Sequence, residues 1–150
     1  MSKPLFTCGY ANFAWGRVAR GTVLDDKGRL WTYDLGTTWS GTPVPDGAEG
    51  LYLESGLRER FKKLVLQKTR VPLEQLATMQ KKAESAREGR IEKRQVAHDA
   101  GGSGCDAYLW ERPDAYREVE LGTDGVYEVR NLSPEADEIW VWLEMDLGMR

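Results

Sequence analysis

The stretch RVARGTVLDDKGRLWTYDL, residues 17–35, decides the fold class. Its two arms, Arg17 to Leu24 and Arg29 to Leu35, flank Asp25-Asp26-Lys27-Gly28. That turn places Asp at its start and Gly at its end, where a positive φ costs least. In the second arm Trp31, Tyr33 and Leu35 alternate with Leu30, Thr32 and Asp34. A period of two predicts a β-hairpin with one aromatic face.

The same pattern returns downstream. Cys105 to Glu111 alternates with Tyr108 and Trp110 on one face, and Arg112-Pro113-Asp114-Ala115 reads as a turn. Tyr116 to Leu121 and Val126 to Arg130 form a second hairpin around Gly122-Thr123-Asp124-Gly125, whose Asp-Gly pair is a strong turn signal. Asn131-Leu132-Ser133-Pro134-Glu135 then opens a helix, with Ser133 as N-cap, Pro134 in the first position and acid in the first turn. Ala136, Ile139, Trp140, Leu143 and Leu147 make its apolar stripe, and Gly148 ends it. Ile139, Trp140 and Leu143 are expected against the sheet.

Between these β segments the sequence predicts two helices. Leu57, Phe61, Leu64 and Val65 form a helical stripe with Lys68 along its edge, Ser55 as N-cap, and an end near Lys68 to Arg70 ahead of Pro72. Pro72 and Glu74 suit the start of the second, whose stripe is Leu73, Leu76, Met79, Ala83 and Ala86, thinning to Ile91 past Gly89. Its charged half, Ala83 to Gln95, is expected to jut into solvent or fray. Residues 36–50 (GTTWSGTPVPDGAEG) read as a long loop, and residues 100–104 as a flexible glycine-rich joint. The expected architecture is a single α+β domain over residues 1–150, ordered β-β-α-α-β-β-β-α. It comprises an antiparallel sheet of about five strands with the helices covering one face.

Composition narrows the function classes. The 150 residues are 41% hydrophobic and 10% aromatic, enough for one sizeable core and unlike a disordered chain. No apolar run has the roughly 18 residues a membrane helix needs. The net charge of −3 speaks against generic nucleic-acid binding. Two cysteines cannot build a disulfide-dense scaffold or a four-thiolate zinc site. Cys8 and Cys105 admit one disulfide or two reduced thiols, of which the reduced form is preferred, and with it a cytoplasmic setting. An exported origin stays open, with a signal segment trimmed before Cys8.

Motifs that would carry chemistry are weak. His98 and Cys105 suggest a nucleophile and base only by spacing, and no metal-ligand spacing surrounds them. Gly101-Gly102-Ser103-Gly104 lacks the following Lys-Ser/Thr of a phosphate cradle. Asn131-Leu132-Ser133 fits the glycosylation triplet but already serves as a helix start. No cofactor or metal is expected.

The charge layout is the remaining signal. Residues 57–98 hold 12 Lys+Arg against 5 Asp+Glu, and residues 99–150 hold 4 against 13. Either these segments pack together and neutralise, or the acidic C-terminal third docks a partner. The sequence thus predicts a non-catalytic protein-binding module of inhibitor or immunity type, with a basic protein as the kind of partner that fits. Glu111, Asp114, Glu118, Glu120 and Glu128 are the expected solvent-facing carboxylates, and Trp39 or Trp110 the aromatic anchor. A small enzyme, or a subunit of one, with an unrecognised site is the alternative.

Overall fold

A computed structural model describes residues 1–12, 14, 18–36, 50–98 and 101–150. The elements run β1 (Pro4–Asn12), β2 (Val18–Asp25), β3 (Arg29–Asp34), β4 (Tyr52–Leu53), α1 (Glu54–Arg60), β5 (Val65–Arg70), α2 (Leu73–Ala86), β6 (Ile91–Gln95), β7 (Gly102–Arg112), β8 (Ala115–Asp124), β9 (Tyr127–Asn131) and α3 (Pro134–Val141). A π-helical turn, Trp142–Asp146, continues α3. All nine strands join one antiparallel sheet in the order β5-β3-β2-β1-β7-β8-β9-β6, with β4 paired to the start of β8.

The five-strand expectation is therefore corrected to nine, and helices cover both faces. The α2 and α3 helices close one face over Phe6, Leu24, Leu30, Ala107, Val119 and Leu121. On the other, α1 sets Leu57 and Phe61 against Val23, Tyr108 and Tyr116. The central strand β1 has no alternating pattern because its first five residues are buried on both faces.

Two segments expected to be helical are edge strands instead. The α1 helix stops at Arg60, and Lys63 takes a φ of 55°, a conformation that ends helical propagation. The chain then runs along β3 as β5, where Val65 and Leu66 are exposed. The N-cap of α1 is Leu53 rather than Ser55. The α2 helix ends at Ala86, and Gly89 donates to the Ala86 carbonyl (3.0 Å) in the turn into β6, which pairs with β9. A Cβ on Gly89 would stand 2.0 Å from Asn131 Oδ1, so the turn requires glycine there. Both edges carry cations (Lys68 and Arg70, Lys93 and Arg94), which discourage strand-on-strand association.

The hairpin at residues 17–35 has the expected register, Val23 opposite Trp31 and Leu24 opposite Leu30. Its turn is locked by Asp25, a fully buried carboxylate that accepts from the backbone of Ser2 (3.3 Å), Lys27 (3.0 Å) and Arg29 (3.1 Å), from Arg29 Nε (2.9 Å) and from Trp31 Nε1 (2.9 Å). Gly28 sits at φ 69° with the Val71 carbonyl close beneath it.

The expected glycine joint is structured where it is described. Gly102 to Gly104 belong to β7, paired with both β1 and β8. Cys8 and Cys105 face each other in the β1–β7 register with Cα atoms 4.1 Å apart and form a buried disulfide, which corrects the reduced reading. The last helix starts as predicted: Ser133 Oγ accepts from Ala136 N (3.2 Å), and Pro134 follows. Its interior differs in one residue. The buried tryptophan is Trp142, edge-on to Phe6 at 5.6 Å, while Trp140 is only half-buried beside Gly122. One π-helical turn at Trp142 shifts the stripe.

Candidate functional site

The carboxylates of the C-terminal third divide into those the molecule neutralises itself and those it does not. Glu111 is bound by Arg117 (2.7 Å) and faces Arg87 (3.8 Å). Glu128 lies between Arg94 (2.5 Å) and Arg130 (3.5 Å), because β6 brings the basic segment alongside β9. Asp114, on the β7–β8 turn, is exposed with Arg112 at 3.9 Å. Glu120 is exposed at its surface, yet burial of its base raises its pKa above the ordinary carboxylate value. Trp110 is half-buried, donating from Nε1 to the Pro4 carbonyl (2.8 Å) under the Lys3 ammonium. Trp39 lies outside the described residues.

Glu118 is not a solvent-facing residue. It stands in a cluster with Arg60, the last residue of α1, and Asp106 on β7, at Arg60–Glu118 3.6 Å and Arg60–Asp106 3.8 Å. The three side chains are only 17–18% exposed. Tyr33, Tyr52, Tyr108 and Tyr116 surround them in a chain of ring contacts 5.1–6.3 Å apart that includes Phe61. Asp106 and Glu120 are opposite in register, and the irregularity between Cys105 and Asp106 leaves Leu121 as an extra residue in β8.

The electrostatics follow from enclosure. Burial, with Glu118 beside it, pushes Asp106 well above the ordinary carboxylate range, against the pull of Arg60. Glu118 acts as a like charge close to Asp106, which disfavours ionisation of the buried carboxyl. Burial likewise raises Tyr108 and Tyr33. Burial by itself would lower Arg60, but Tyr108, Asp106 and Glu118 outweigh it and keep the guanidinium charged. The cluster's evident work is to clamp α1 to the sheet. Sequence reasoning missed it, though a signal existed: Asp106 alternates in phase with Tyr108 and Trp110, and Glu118 with Tyr116.

Further acid without an ion pair among the described residues lies on α3 and its π-helical turn. Val141 is 49% exposed and Met145 77%. Asp137, Glu138 and Glu144 are three or four residues from Val141, so they flank it on one helical surface. Glu138 is engaged by Lys82. Asp137, Glu144 and neighbouring Asp146 have no ion-pair partner among the described residues.

Other candidates are absorbed by structure. Cys105 is oxidised, which removes it as a nucleophile for His98. Asn131 is 7% exposed, donates from Nδ2 to the carbonyls of Ala86 (2.9 Å) and Glu120 (3.1 Å), and accepts from Ser133. It is a junction of α2, β8 and α3 rather than a glycan acceptor. Among the described residues no three His, Cys, Asp or Glu side chains converge as metal ligands, and no helix is long and apolar enough to cross a membrane. Comparison with known proteins returns no matching family, no matching curated protein and no matching solved structure.

Proposed function

We propose that this chain is a non-catalytic protein-binding module of inhibitor or immunity type that docks a basic protein through its acidic C-terminal third. The contact is centred on α3 and its π turn rather than on the β7–β9 meander. The observation that carries this reading is the exposed Val141–Met145 pair beside Asp137, Glu144 and Asp146, three carboxylates without an ion-pair partner among the described residues. An apolar centre with a charged rim is the usual anatomy of a protein interface, and the unpaired acid selects a basic partner. Glu111, Glu118 and Glu128 support it less, since cations of the same chain occupy them. Asp114 and Glu120 remain outward-facing but lie away from the α3 centre.

The buried Cys8–Cys105 bond favours an oxidising compartment, hence the exported alternative over the cytoplasmic one. The enzyme alternative draws on the Asp106–Glu118 pair, whose enclosure leaves a substrate little access.

The test is affinity capture by the wild type and by a Met145→Ser variant carrying Asp137→Lys, Glu144→Lys and Asp146→Lys, followed by association kinetics of the retained protein. A basic protein held by the wild type, lost by the variant, and associating more slowly as salt rises supports the reading. Equal retention by both overturns it.

A further inference from the structure

A groove of about 740 Å³ opens where β1, β2 and β3 meet β5, lined among others by Tyr10, Arg20, Thr32, Asp34, Lys63 and Arg150. The register places Tyr10 opposite Arg20, and Arg20 opposite Asp34, so these side chains rise from one face of the sheet. Its size is that of a small-molecule site.

The lining is built from donors. Arg20, Lys63 and Arg150 are exposed cations, and none has an ion-pair partner among the described residues. The one carboxylate, Asp34, accepts from Gly36 N (3.0 Å). Arg20 is steadied over the Tyr10 ring, 5.8 Å from its centroid. The Tyr10 hydroxyl accepts from Asn12 Nδ2 (3.1 Å), and the Thr32 hydroxyl from Gln67 Nε2 (2.9 Å). With an amide donor already directed at each oxygen, both hydroxyls keep their own proton to donate. Lys63 is the one non-glycine residue with positive φ among the described residues, at 55°. Side-chain-bearing residues avoid that conformation, and where it persists it often marks a site. In a chain of net charge −3, the described residues lining this groove carry three cationic side chains against one carboxylate side chain.

We propose that this groove binds a small organic oxyanion, the charged phosphate or carboxylate group seated on Arg20 and Lys63 with Tyr10 and Thr32 donating from the floor. Charge-assisted bonds to oxyanions are the strong class, and Arg20 offers the fork that suits both groups.

Amide NMR titrations with pyrophosphate and, separately, with citrate test it, at low and at physiological ionic strength. Saturable shifts centred on Gly21, Thr32, Tyr33 and Lys63 are expected. Arg20→Gln and Lys63→Gln should each weaken binding about tenfold or more, Tyr10→Phe by less, and Lys93→Gln on distant β6 not at all. Because these side chains are outside the core, the free-state spectra should keep their dispersion. Saturation by pyrophosphate alone assigns a phosphate ligand, by citrate alone a carboxylate, by both an unselective oxyanion site. Shifts that stay linear with both probes, or affinities unchanged in Arg20→Gln and Lys63→Gln, overturn the proposal.

Discussion

Asp25→Asn should be among the most damaging single substitutions in this chain. The carboxylate is fully buried, and its Oδ2 meets Ser2 N, Arg29 Nε, Trp31 Nε1 and Arg29 Nη2, the last at 2.8 Å. An amide nitrogen in that place turns donors toward donors. It also leaves Arg29, 29% exposed, without its counter-charge. A hydrogen bond to a charged group is worth about 1.5–3 kcal/mol, and removing one partner of a buried pair costs about 3–5 kcal/mol. These bonds are coupled and do not add, so the expected loss is about 3–5 kcal/mol at neutral pH. Urea unfolding read by tryptophan fluorescence measures it. The pH dependence supplies a second check. Burial alone would raise the Asp25 pKa, but Arg29, Trp31 and two backbone N–H groups outweigh it and hold it below its ordinary 3.8. Its contribution is therefore fully present above pH 3.8 and is lost as pH falls through the lower folded value. The gap between wild type and Asp25→Asn should narrow in that acid window. A loss under about 1 kcal/mol at neutral pH, or a gap that does not narrow in acid, refutes the reasoning.

Three further outcomes are expected. Trp142→Ala should cost about 3–5 kcal/mol in chemical denaturation and Trp140→Ala clearly less, because only Trp142 is fully enclosed. Reducing the Cys8–Cys105 bond, which closes a loop of 97 residues, should lower stability by about 4–5 kcal/mol on the chain-entropy account, seen as a lower melting temperature in reductant. Asp106→Asn should flatten the stability profile from the unfolded carboxylate value of 3.8 up to the folded Asp106 value. The raised folded pKa of Asp106 means that wild-type stability falls as pH rises toward it, and an amide has no proton to lose. An unchanged profile counts against the buried acid.

The legible parts of this fold were those whose alternation or end is set by neighbouring residues in the sequence. The hairpin at residues 17–35 and the Ser133 cap stand where the sequence puts them, whereas in the β7–β9 meander β8 runs on through Gly122 to Asp124, residues the sequence assigns to the turn. Strand β1 was illegible because burial on both faces erases its period. Strands β5 and β6 were misread because Leu64, Val65 and Ile91 extend helical stripes that Lys63 and Gly89 interrupt. Gly89 was readable as a stop; the left-handed Lys63 was not. At the candidate sites, the acid of the C-terminal third was visible, but its division was not. Which carboxylates stay unpaired depends on β6 lying against β9 and α1 against β7 and β8, contacts with no local signature.

The disulfide has one more consequence. It welds the two strands at which the first half of the sheet meets the second, 97 residues apart in sequence. A protease that nicks the chain anywhere between them, at the exposed Arg87–Glu88 bond for instance, yields two pieces still tied at the seam. Such a nicked molecule would migrate as a single species until thiol is added, and it could keep its shape through damage that would scatter an unlinked sheet.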